Sequence, residues 1–127
     1  MGRPPAKDLT ERELEVMHVF WSHGPTTAAG ARDRLEATGL NRTYATIANL
    51  VRALHEKGFL RQDNAERPFV YVAARSYEDV SGRLLGDLVH RVFRGSRAQL
   101  LCRLVDQRKL TAEERAAIEQ VLGGRDQ

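Results

Sequence analysis

Four histidines (His18, His23, His55 and His90) and one cysteine, Cys102, are the residues best suited to nucleophilic or metal chemistry in this chain. Their spacing supports neither. No histidine falls in an HExxH pattern, no glycine-rich loop has the form of a phosphate cradle, and no GxSxG is present. One cysteine forbids an intrachain disulfide and any cysteine-based zinc or iron–sulfur centre. Cys102 sits in an apolar helical stretch, where a free cysteine reads as a small buried hydrophobe. His55 and His90 read as polar helix residues. The sequence predicts no catalytic group, no metal and no cofactor.

Recognition chemistry is better represented. In Thr43 to Lys57, Ile47, Leu50, Val51 and Leu54 recur at i, i+3, i+4 and i+7, the stripe of an α-helix. The opposite side carries Ala45, Asn49 and Arg52 beside Thr46 and Ala48, where a solvated face would carry mostly Glu and Lys. Small residues admit close approach, Asn pairs with an adenine edge, and Arg reaches guanine or phosphate. This side suits reading DNA. It also suits an amphipathic helix that is merely low in acid.

Elsewhere the composition bounds more than it selects. The 127 residues allow one domain, or a small domain with an oligomerising extension. The net charge of +3 is modest, but the window Asn41–Arg61 holds Arg42, Arg52, Lys57 and Arg61 against Glu56 alone. A basic patch at the helix that reads bases fits phosphate contact. No apolar run approaches the roughly 18 to 20 residues that span a bilayer, and MGRPPAKD lacks a signal-peptide core. A soluble, cytoplasmic protein without membrane insertion is expected.

Along the chain, residues 1–8 read as a flexible lead. Thr10 with Glu13 forms a capping box, and Leu9 with Leu14 a staple across it. The helix that follows is apolar through Leu14, Val16, Met17, Phe20 and Trp21, and stops at His23-Gly24-Pro25. Thr26 or Thr27 caps a second helix with Ala28, Ala31 and Leu35 on one face, ended by Thr38-Gly39. Thr43 caps the third, ended at Gly58. Phe59–Asp63 and Phe69–Ala73 then read as a hairpin around Asn64–Pro68, with Arg67 at its tip to meet phosphate or the minor groove. Three helices and a hairpin make a winged helix-turn-helix domain over 9–75, in a chain that is mostly α with a small β-hairpin.

Residues 76–127 predict three helices. Val80, Leu84, Leu85, Leu88, Val92 and Phe93 stripe the first, Leu100, Leu101, Leu104 and Val105 the second. Ile118, Val121 and Leu122 stripe the third, which opens at a Thr111–Glu114 capping box and ends before Gly123-Gly124. So small a unit is marginal alone. Of these, Leu84, Leu88, Val92, Phe93 and the residues of the two later stripes are expected to meet a second copy in a homodimer. A private bundle and packing against the wing domain are the alternatives.

Taken together, Leu9, Thr10, Glu13, Val16, Met17 and Trp21 in L-T-x-x-E-x-x-V-M-x-x-x-W, the step HEKGFL, the wing ending FVYVAA and three final helices resemble the penicillinase repressor (BlaI/MecI) family from Leu9 to about Leu122. The resemblance implies a dimeric winged-helix repressor on double-stranded operator DNA of dyad symmetry. It places DNA contacts on Thr43, Thr46 and Asn49, with Arg67 on the wing; Arg42, Tyr44 and Arg52 beside them are further DNA-binding candidates, drawn from this chain's own basic and outward-facing residues. Departures are visible. The family often has Thr at the place of Asn49, and its helix arginine falls where Ala53 stands. Arg52, one step earlier, is turned by about 100°. In the best-studied members a membrane sensor-protease triggers cleavage and so switches on β-lactam resistance genes. The cleaved bond aligns with Arg103–Leu104, where this chain lacks the Asn-Phe pair. The cysteine-rich tail of copper-responsive relatives is also absent. Two other readings of the winged helix stay open at this point, a protein-docking module and a non-specific architectural DNA binder.

Overall fold

The computed structural model describes residues 9–106 and 110–125; the expected lead, residues 1–8, lies outside them. Helix α1 (Glu11–His23) starts where the sequence places it. Thr10 Oγ1 accepts from the Glu13 amide at 3.1 Å while Glu13 Oε1 accepts from the Thr10 amide at 2.8 Å. Both donors belong to a first turn with no helical carbonyl to bond, so the box satisfies them reciprocally. Helix α2 (Ala28–Ala37) is capped by Thr27 rather than Thr26. Helix α3 (Tyr44–Glu56) is capped by Thr43.

Helices α2 and α3 end alike. Gly39 and Gly58 take positive φ, the Leu40 amide bonds back to Leu35 O, and the Phe59 amide to Leu54 O. This is the Schellman arrangement, in which a left-handed glycine lets the chain turn back on the last carbonyls. Phe59, just beyond, is buried.

The sheet holds one strand more than expected. Leu60–Gln62 (β2) and Val70–Ala73 (β3) pair antiparallel as the hairpin, Leu60 opposite Ala73 and Gln62 opposite Tyr71. Thr26–Thr27 (β1) adds to the other side of β3, Thr27 opposite Val70, giving the order β1-β3-β2. Two threonines have no alternation to detect, and only the position of β3 makes them a strand.

The core of this unit runs through Val16, Met17 and Phe20 of α1, Ala31 and Leu35 of α2, and Ile47, Val51 and Leu54 of α3. Burying such aliphatic side chains contributes about 1.5 to 3 kcal/mol each. Burial of this stripe, more than helix propensity, holds the 13-residue α3 in place. Trp21 packs partly against the core and donates Nε1–H to Arg75 O at 2.9 Å.

Helix α4 (Tyr77–Arg91) begins in this unit. Ser76 Oγ accepts from the Asp79 amide, Val80 is buried, and Leu84 packs against the core. The second unit begins at Leu85 and takes in α5 (Arg97–Asp106) and α6 (Ala112–Arg125). The Thr111–Glu114 capping box is present. The expected stop before Gly123-Gly124 is not: α6 runs to Arg125, because glycine weakens a helix end by roughly 1 kcal/mol without forbidding it. Cys102, expected to be buried, is exposed in the single chain.

Candidate nucleic-acid interface

Helix α3 presents its outer face because its inner one is used. Ile47 and Leu54 are fully buried, while Tyr44, Ala45, Asn49 and Arg52 are exposed and Ala48 is half-buried. At its entrance the Thr43 hydroxyl accepts from the Thr46 amide at 3.2 Å and donates to Thr46 Oγ1 at 2.9 Å. The two hydroxyls the resemblance nominates for DNA contact thus pre-order one another.

A groove of about 530 Å³ opens between the start of α2 (Ala28, Ala29), the outer face of α3 (Tyr44, Arg52) and the wing (Arg67, Phe69). Arg52 and Arg67 both line it. Among the described residues neither has a carboxylate partner; Arg67 stacks over the Phe69 ring, 5.3 Å from its centroid. Two uncompensated guanidinium groups on the walls of a concave surface attract a polyanion more strongly than the same charges spread on a convex one.

The four-cation patch read from the sequence is reduced by residues distant in the chain. Lys57 Nζ lies 2.8 Å from Glu13 Oε1, and Arg42 Nη2 lies 3.1 and 3.2 Å from the two oxygens of Glu15. Both acids belong to α1, so counting charges within a sequence window missed them. Arg52 and Arg61 remain exposed. Burial pushes the Glu13 carboxyl up, but the Lys57 hydrogen bond and charge and the Thr10 amide outweigh it. The group is held below its ordinary value of 4.5.

Asn64, read in the sequence only as a turn residue of the hairpin, has a further role in the wing. Its Nδ2 donates to Glu66 O at 2.9 Å and Pro68 O at 3.1 Å, while its Oδ1 accepts from the Val70 amide at 2.8 Å. One side chain therefore shapes the loop that carries Arg67. An asparagine opening a turn was the available signal, since its amide mimics backbone donors and acceptors.

The residues nominated for dimerisation divide. Leu84 packs against the first unit, and Phe93 and Leu100 are half-buried. Leu88, Val92, Leu101, Leu104, Val105, Ile118, Val121 and Leu122 are exposed. Arg103, like Leu104, is exposed on α5. Among the described residues no cluster of His, Cys, Asp and Glu could hold a metal ion, and no helix is long and apolar enough to cross a membrane.

Three stacked helices, a wing and an outward-facing third helix define a winged-helix DNA-binding protein. The penicillinase repressor family model matches residues 9–124. The chain belongs to that family of DNA-binding transcriptional repressors and is not an enzyme. The methicillin resistance regulatory protein MecI of Mammaliicoccus sciuri is 22% identical over 117 residues, covering 91% of this chain and 93% of that protein. Among solved structures, a complex of RosR from H. salinarum aligns over 96% of each chain at 14% identity with a TM-score of 0.54, a likeness of fold. The solution structure of the monomeric form of Bacillus licheniformis BlaI with the blaP half-operator is 28% identical, covering 58% of this chain and 89% of that one, at a TM-score of 0.48.

Proposed function

We propose that this repressor acts as a homodimer on an operator of dyad symmetry, with residues 9–75 reading DNA and 76–127 joining the two copies. The observation that carries the reading is the exposed outer face of α3, Tyr44, Asn49 and Arg52, of which Tyr44 and Arg52 share a groove with Arg67 of the wing. In this reading α3 enters the major groove, Asn49 pairs with a base edge, and Thr43, Thr46, Arg52 and Arg67 hold the sugar-phosphate backbone. Two such heads read half-sites about one helical turn, or a multiple of it, apart.

The exposed leucines and valines of α4, α5 and α6 support dimerisation, since they leave a single chain with unburied apolar stripes. Repression is by occlusion of a promoter in the cytoplasm. Release follows loss of the dimer, because one head forfeits half of the contacts. Cleavage or disruption of the C-terminal helices achieves this, with the exposed Arg103–Leu104 bond as the candidate site and a membrane sensor-protease as the candidate trigger.

Selection of bound sequences from random duplex DNA by the purified protein tests the proposal. An enriched inverted repeat is expected. A flat pool overturns it and leaves a protein-docking role for the outer face of α3.

A further inference from the structure

Two carboxylates of α1 hold two cations at the two ends of the reading helix, and the pairs differ in kind. Glu13 is 4% exposed, and its carboxylate also holds the Thr10 amide, so it is built into the fold. Glu15 and Arg42 are partly open to solvent, at 21% and 24% exposure. Arg42 spends a single nitrogen, Nη2, on both oxygens of Glu15, and its buried Nε has no hydrogen-bond partner. A guanidinium offers five N–H donors in a fixed fork, and a carboxylate and a phosphate satisfy it alike. Arg42 directly precedes Thr43, the cap of α3, and so stands at the end of the helix that enters the groove.

We infer that Glu15 limits affinity for DNA, occupying Arg42 in place of a phosphate and so withholding one sequence-independent contact from every duplex. The inference rests on the DNA-reading function proposed above. Phosphate contacts raise affinity for every sequence equally, so a freed Arg42 strengthens binding to operator and non-operator duplex alike. An acid that keeps one arginine occupied lowers that general affinity and keeps binding reversible, and its own charge repels the backbone as well. The base-reading face of α3 is left untouched.

The test is a salt titration of binding to a short duplex of random sequence, with wild type, Glu15→Gln and the double variant Glu15→Gln/Arg42→Gln. Freeing Arg42 should add one phosphate contact. The slope of log affinity against log salt then steepens by about 0.9, and affinity near 0.1 M salt rises by up to about tenfold. The double variant should return the slope to that of wild type. An unchanged slope in Glu15→Gln overturns the inference, as does weaker binding, which would make Glu15 a support for α3. Absence of salt-dependent binding by wild type overturns instead the DNA-reading function, and the inference with it.

Discussion

Glu13 Oε1 accepts from Lys57 Nζ at 2.8 Å across 44 positions of sequence, joining the first turn of α1 to the end of α3. The same carboxylate closes the capping box, so one side chain starts one helix and anchors another. Replacing Glu13 by Ala should cost about 2 to 3 kcal/mol, the sum of a lost cap and a lost charge-assisted hydrogen bond. Chemical denaturation at neutral pH measures it, and a loss below about 0.5 kcal/mol, typical of surface substitutions, would contradict the relationship.

The same group sets a pH dependence. Its folded carboxyl titrates below the ordinary 4.5, so between the two values the unfolded state binds more protons. The contribution is fully present above the unfolded value and is lost as pH falls through the folded one. Glu13→Gln should therefore flatten the fall of stability with pH below about 4.5. Melting curves of both proteins across the acid range decide the point; parallel curves would exclude Glu13 as a source.

On the wing, Asn64→Ala removes three hydrogen bonds to the backbone of its own loop, at Glu66, Pro68 and Val70. These bonds are exposed, so global stability should change by only about 1 kcal/mol. The loop carrying Arg67 should loosen, with faster amide exchange at Val70 and weaker binding to every duplex. Exchange at Val70 as slow as in wild type would mean that the hairpin register alone shapes the loop.

Asn49→Ala and Arg67→Ala should separate base reading from backbone holding. The first relaxes preference at one operator position and costs about 1 to 3 kcal/mol there. The second weakens all sequences alike and makes the salt slope shallower by about one. Binding-site selection and salt titration with each variant distinguish them. Identical profiles would assign both residues to the same kind of contact.

Leu104→Glu places a charge on one of the exposed apolar stripes, at a residue 58% exposed in the single chain. A homodimer built on that stripe should dissociate in sedimentation while the winged-helix core keeps its melting temperature. A dimer that survives would place the contact elsewhere on the second unit.

The elements of the winged helix were legible in sequence wherever the signal was local. Thr10, Thr43 and Thr111 each cap a helix with their own side chains, Gly39 and Gly58 end α2 and α3, and the stripe Ile47, Val51, Leu54 names its own buried face. Outside those patterns the reading was incomplete. Thr26–Thr27 is a strand only because β3 lies beside it, and α6 passes through glycines read as its end.

The candidate interface divides along the same line. Sequence by itself determined which residues α3 turns outward, because a period of 3.6 residues fixes the outer face once the inner one is apolar. Only the tertiary structure decided which of the neighbouring cations stay available. Arg42 and Lys57 are held by Glu15 and Glu13, whereas Arg52 and Arg67 face one groove without a carboxylate partner among the described residues. Helical periodicity acts over a few residues, but an ion pair depends on distance in space. The packing of α1 across α3 brings those acids within reach, and no window of sequence contains that packing.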